Sequence, residues 1–175
     1  MNKLNGYMIQ ETIRQCDRIS VPEIQLFFSL EYGDAKDLLN QMIFRGWVEP
    51  FPKGIFYKVQ HKNLQLHYIT KEDAVAIYSC VDGECTKILE KLKEKDGMTI
   101  TAVKYLVRDD DDAEPNLDVL MKLGLIYEHN GMFFKRVSNK TITVINRVCS
   151  KKTIFRKNDE TNPTEIIKLF SELFD

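Results

Sequence analysis

No stretch of this chain approaches the roughly 18 uninterrupted apolar residues that a membrane-spanning helix requires. Residues 1–18 are polar and lack the apolar run of a signal peptide, so the expected setting is the cytoplasm. Cysteine is scarce: Cys16, Cys80, Cys85 and Cys149 are scattered, with no Cys-x-x-Cys pair and no histidine at zinc-ligand spacing. That excludes a zinc module and leaves reduced thiols as the expectation. There is no Gly-x4-Gly-Lys-Ser/Thr phosphate loop, so no nucleotide-driven motor is encoded here. The acidic run Asp109 to Asp112 is consecutive, whereas a calcium loop alternates its carboxylates around a turn glycine. It reads as a solvated helix start, where the dipole favours negative charge. His61, His67 and His129 are isolated, and no serine or cysteine sits in a nucleophile motif. These absences point away from an enzyme, and no metal or cofactor is expected.

What is present suffices for a core: 43% of the 175 residues are hydrophobic and 29% charged. The net charge of −1 conceals an uneven spread. Residues 1–60 carry 7 basic and 7 acidic groups, and residues 61–128 carry 9 and 14. Residues 129–158 carry 8 basic groups and no acidic one, and residues 159–175 carry 1 and 5. A +8 block inside an acidic protein is a local electrostatic feature.

Apolar spacing predicts a helix over 7–18, with Ile9, Ile13 and Cys16 on one face. Ser20 to Glu23 forms a capping box with Pro22 in the first turn, and opens a helix turning Val21, Ile24, Phe27 and Phe28 inward. Tyr32-Gly33 reads as a turn and Asp34 as the cap of a third helix, whose Ala35, Leu38, Leu39, Met42 and Ile43 form a buried stripe ended by Gly46. Strand signals follow at 47–49 and 55–59. The order then returns. Thr70 to Asp73 caps a helix, another runs over 84–95, and Thr99 caps a third. The acidic run leads into a helix with Ala113, Leu117, Leu120 and Leu123, ended by Gly124, and strands follow at 125–127 and 132–135. Ser20, Ile24, Phe28, Ala35, Leu39, Met42 and Gly46 fall over Thr99, Val103, Val107, Ala113, Leu117, Leu120 and Gly124. The second hairpin strands align as Gly54–Lys58 on Gly131–Lys135.

Three helices followed by a hairpin, given twice, predict an α+β, mainly α chain of two tandem winged helix-turn-helix modules. The expected divisions are a first module at 1–60, a connecting segment with a helix at 61–83, and a second module at 84–137. Residues 138–175 are expected to form a basic hairpin, over 140–157, and a C-terminal helix. Ile166, Ile167, Phe170, Leu173 and Phe174 of that helix suit docking on the body of the protein, or dimerisation.

Residues 19–48 resemble the winged-helix gamma domain of FtsK-type bacterial DNA translocases, without the motor. The resemblance is carried by Ser20, Ile24, Gln25, Phe28, Leu30, Tyr32, Ala35, Leu38, Leu39, Gln41, Met42, Gly46 and Val48. It implies duplex recognition from the start of the third helix. Here those positions hold Gly33, Asp34, Lys36 and Asp37, two carboxylates to one lysine.

Two functions are expected from this pattern. The first, and the leading expectation, is a non-catalytic DNA-binding protein of regulatory or chromosome-maintenance type. It would hold phosphates through Lys36, Lys53, Lys58, Lys135, Arg136, Lys140, Arg147, Lys151, Lys152, Arg156 and Lys157. The other is a protein-interaction scaffold or homodimerisation module, a role tandem winged helices also take. The acidic start of the second recognition helix favours the scaffold, and the basic block favours DNA.

Overall fold

The computed structural model describes residues 4–64, 67–151 and 162–174. Among these residues the fold is mainly helical with two small antiparallel sheets. The chain divides into two compact units, Met1–Leu66 and His67–Asp175, each with its own apolar core.

In the first unit α1 (Gly6–Ile13) starts at Asn5, whose Oδ1 accepts the Met8 N–H at 2.9 Å. Strand β1 (Arg18–Ile19) leads into α2 (Val21–Phe28), where the Glu23 carboxylate accepts the Ser20 N–H at 2.7 Å and the Ser20 hydroxyl at 2.8 Å. Helix α3 (Tyr32–Phe44) begins two residues before the expected Asp34 cap. Glu31 holds the cap position, and Tyr32 and Gly33 form the first turn instead of a loop. Asp34 sits inside that turn, where the helix dipole favours its charge. Phe27, expected inward, is 44% exposed, and Ile24 is the α2 side chain that is fully buried. After α3, Gly46 adopts φ +70°; its N–H reaches the Ile43 carbonyl and the Trp47 N–H reaches that of Met42. This is a Schellman cap, and an L-residue there would cost about 1–2 kcal/mol. Strands β2 (Val48–Pro50) and β3 (Tyr57–Val59) complete a sheet of order β1-β3-β2.

The second unit adds one helix, α4, in front of the same order of helix, short strand, two helices and hairpin. Helix α4 (Lys71–Cys80) opens on a Thr70/Asp73 capping box, and α5 (Gly83–Glu94) on Asp82. Strand β4 (Met98–Thr99), α6 (Ile100–Leu106) and α7 (Ala113–Lys122) follow, with Asp110–Asp112 as a single 3-10 turn before α7. Gly124, at φ +72°, repeats the Schellman cap: its N–H meets the Met121 carbonyl and that of Leu125 meets Leu120. Strands β5 (Ile126–His129) and β6 (Met132–Lys135) join through Asn130-Gly131, both at positive φ, the pair that a two-residue hairpin turn demands. The sheet order is β4-β6-β5, the same as in the first unit.

The expected equivalences hold along the helices. Ile24 and Val103, Ala35 and Ala113, Leu39 and Leu117, Met42 and Leu120 are buried pairs. The hairpin alignment is corrected by one residue. Val48 pairs with Val59 and Ile126 with Lys135, and both Val48 and Ile126 lie two residues past their glycine caps. Ile19 pairs with Tyr57 and Met98 with Phe133. Tyr57 therefore corresponds to Phe133, and Lys135 to Val59, not to Lys58. The first hairpin spans Phe51 to Phe56 between its strands and the second only Asn130-Gly131. Aligning on the loop glycines thus slipped the register, and a one-residue slip exchanges the two faces of a strand.

The basic hairpin expected over 140–157 is also corrected. Residues Asn139–Ser150 form helix α8. The stretch 141–145 alternates like a strand, but Ile142, Ile145, Val148 and Cys149 also recur at helical spacing, and all four are buried. Ser138 caps the start, accepting the Thr141 N–H at 3.1 Å. Helix α8 packs on α5, where Asn146 Nδ2 donates to the Thr86 carbonyl and the Glu90 carboxylate. Tertiary burial overrides the β-preference of the branched residues. The remainder of that expected hairpin, residues 152–157, lies outside the described residues. The C-terminal helix (Pro163–Leu169) packs on α4 and buries Ile166, with Phe170 just beyond it, in the core of its own unit.

Candidate interaction surfaces

The cations singled out in the sequence fall in both units, and the described ones differ in exposure and in partners. Lys36 is exposed on α3, Lys53 on the loop between β2 and β3, and Lys58 on β3 opposite Arg18 and Glu49. Lys135 is half-buried, donating to Asn139 Oδ1 at 2.7 Å, and desolvation lowers its pKa against the opposing effect of Asp96. Arg136 is half-buried beside it. Lys140, Arg147 and Lys151 are exposed at i, i+7 and i+11, a single stripe along α8. Arg147 within that stripe is ion-paired with Glu172, which removes much of its attraction for an outside anion. Lys152, Arg156 and Lys157 lie outside the described residues.

The outer face of α3 carries Gly33, Lys36, Asp37, Asn40, Gln41 and Phe44, all exposed. It is close to neutral and ends in apolar surface, because Phe44 is 92% exposed and Tyr32, at the other end, 60%.

The corresponding face of the second unit is different. A groove of about 350 Å³ lies between α6, α7 and the β5–β6 hairpin. Leu117, Met121 and Phe133 line it with Ile100, and Glu114, Asp118 and Glu128 add three carboxylates. All three acids are exposed, and none has an ion pair or side-chain hydrogen bond among the described residues. The local sequence builds this directly. Glu114, Leu117, Asp118 and Met121 recur at i, i+3, i+4 and i+7, one face of α7. In the corrected register the first unit places Lys36, Asn40 and Pro50 where the second has Glu114, Asp118 and Glu128. At these three positions one positive charge is thus replaced by three negative ones.

Sequence reasoning noted the acidic run but did not bring Glu128 to α7. The available signal was the two-residue Asn130-Gly131 turn, which folds β5 back on β6 and so onto the helix. Asp109 of the run is spent locally, its side chain accepting the Asp111 N–H at 3.1 Å.

Among the described residues no helix is long and apolar enough to cross a membrane. None of the four cysteines is joined in a disulfide, and burial pushes the thiol of Cys85 up to about 12, far from a reactive thiolate. No family model, curated protein or solved structure matches the chain.

Proposed function

We propose that this chain is a non-catalytic protein-interaction protein whose two units are winged helices. The repeated order of helix, short strand, two helices and hairpin supports the winged-helix reading, as do the paired Schellman caps after α3 and α7. In a winged helix, α3 and α7 are the helices that would enter a major groove. The observation that carries the interaction reading is the sign of charge there. The α7 face presents Glu114 and Asp118 behind the Asp109–Asp112 turn, with Glu128 of β5 beside them, and every carboxylate facing a duplex opposes the counterion release that drives binding. Exposed Tyr32 and Phe44 on α3 suit a protein partner better than a phosphate backbone.

Duplex DNA binding is the second reading, favoured by the stripe Lys140, Arg147 and Lys151 and by Lys36 on α3. It also accords with the translocase-like frame of residues 19–48. A titration of labelled random-sequence duplex at about 50 mM and 200 mM salt separates the two. No saturable binding at the lower salt is expected. Saturable binding that falls steeply with salt, and is lost in a Lys140→Glu/Arg147→Glu/Lys151→Glu variant, would overturn the interaction reading in favour of DNA.

A further inference from the structure

We infer that the groove between α7 and the β5–β6 hairpin is a docking site for a cationic peptide segment that pairs a basic side chain with a bulky apolar one. This rests on the protein-interaction reading and names the partner chemistry of one site within it.

Two independent properties of the groove select that occupant. Its lining is apolar and well supported: Leu117 and Phe133 are core residues, and Ile100 and Met121 are half-buried against them. Covering this surface removes apolar area from water, so an apolar side chain is favoured there. Its charges are three carboxylates on two elements, Glu114 and Asp118 on α7 and Glu128 on β5, with no cation among the described residues that line the groove. A purely apolar partner would strip water from those carboxylates and return nothing. An anionic partner would add repulsion. A lysine or arginine satisfies both demands, because its methylene stem covers apolar surface while its head meets the carboxylates. At about 350 Å³ the groove lies at the small end of ligand pockets, which suits one or two side chains of a peptide.

The corresponding face of the first unit makes the inference specific. Lys36, Asn40 and Pro50 stand there in place of the three acids, so the two units cannot share this ligand. Cationic segments are expected on the second unit alone.

The test is to pan a displayed library of random nonapeptides on the full chain. The winners are then synthesised with a fluorophore and titrated against wild type and a Glu114→Gln/Asp118→Asn/Glu128→Gln variant. All three side chains are exposed, so an unchanged melting curve is the control for folding. Enriched peptides should carry Lys or Arg beside a large apolar residue. Their affinity should fall about tenfold or more in the variant and should weaken with salt. Met121→Ser should weaken the same peptides without changing the salt dependence. No enrichment, peptides lacking cations, or equal binding to wild type and variant would each overturn the groove assignment. The last outcome leaves the interaction reading standing with its site elsewhere, whereas that reading itself falls only on the duplex titration.

Discussion

Cys85 shows how far one buried group can set a pH dependence. Its side chain is fully enclosed on α5, with Sγ 3.4 Å from Asn116 Oδ1. Burial is the largest cause of its raised pKa, about 12. An unfolded thiol titrates near about 8.5. The folded state therefore keeps the proton over a range in which the unfolded state has lost it. This contribution to stability is complete below the unfolded value and disappears as pH rises toward the folded one, with a limiting slope of about 1.4 kcal/mol per pH unit. Lysines and tyrosines titrate in the same window, so the informative quantity is a difference between proteins. Urea unfolding at about pH 9 and 11 should show wild type losing more stability than Cys85→Ala does. Parallel losses would mean that the thiol is not the titrating group. In the native protein a thiol reagent should label exposed Cys80 and leave Cys85 until unfolding.

At the scale of elements, α8 is where two periodicities compete. Its branched residues would suit a strand, yet its buried face is helical and lies against α5. If that packing decides the conformation, the helix depends on its cap and on one or two core residues. Ser138→Ala removes the acceptor for the Thr141 N–H and should cost about 1 kcal/mol. Ile145→Ala opens a cavity at a position with no solvent exposure and should cost about 2–5 kcal/mol. Urea midpoints of the two variants check both values. A strand at this place would instead make Ser138→Ala neutral, since no orphan helix N–H groups would exist to be capped.

Over the whole molecule, the two cores are closed within their own units, and the chain's single tryptophan, Trp47, reports on the first. Fluorescence therefore follows unit one, while far-ultraviolet circular dichroism is dominated by the helices of the larger second unit. Met42→Ala should shift the fluorescence transition by about 2–5 kcal/mol, because its side chain is fully buried in the first core. Leu117→Ala should move the dichroism transition and leave the fluorescence midpoint in place. A common shift of both probes in either variant would show that the units unfold as one.

Local chemistry was sufficient for much of this architecture. Ser20 with Glu23, Thr70 with Asp73, and Thr99 announce helix starts because a backbone N–H needs a nearby acceptor whatever the rest of the chain does. Gly46 and Gly124 mark helix ends because the left-handed cap excludes other residues at little distance in sequence. The repeat was legible for the same reason, since both copies use the same punctuation. What local pattern could not decide was settled by contacts distant in sequence. The strand β1 exists only because Arg18 and Ile19 meet β3, about forty residues later. The register of each hairpin follows its turn length, and a match of similar residues misplaced Lys135 by one position. Helix α8 is a helix because α5 covers its apolar face. Among the candidate cations, no sequence rule foresaw that Arg147 would be paired with Glu172. The acidic groove is the clearest case. Glu114 and Asp118 share a helix face by spacing alone, but Glu128 and Phe133 reach them only because a two-residue turn folds the hairpin against α7.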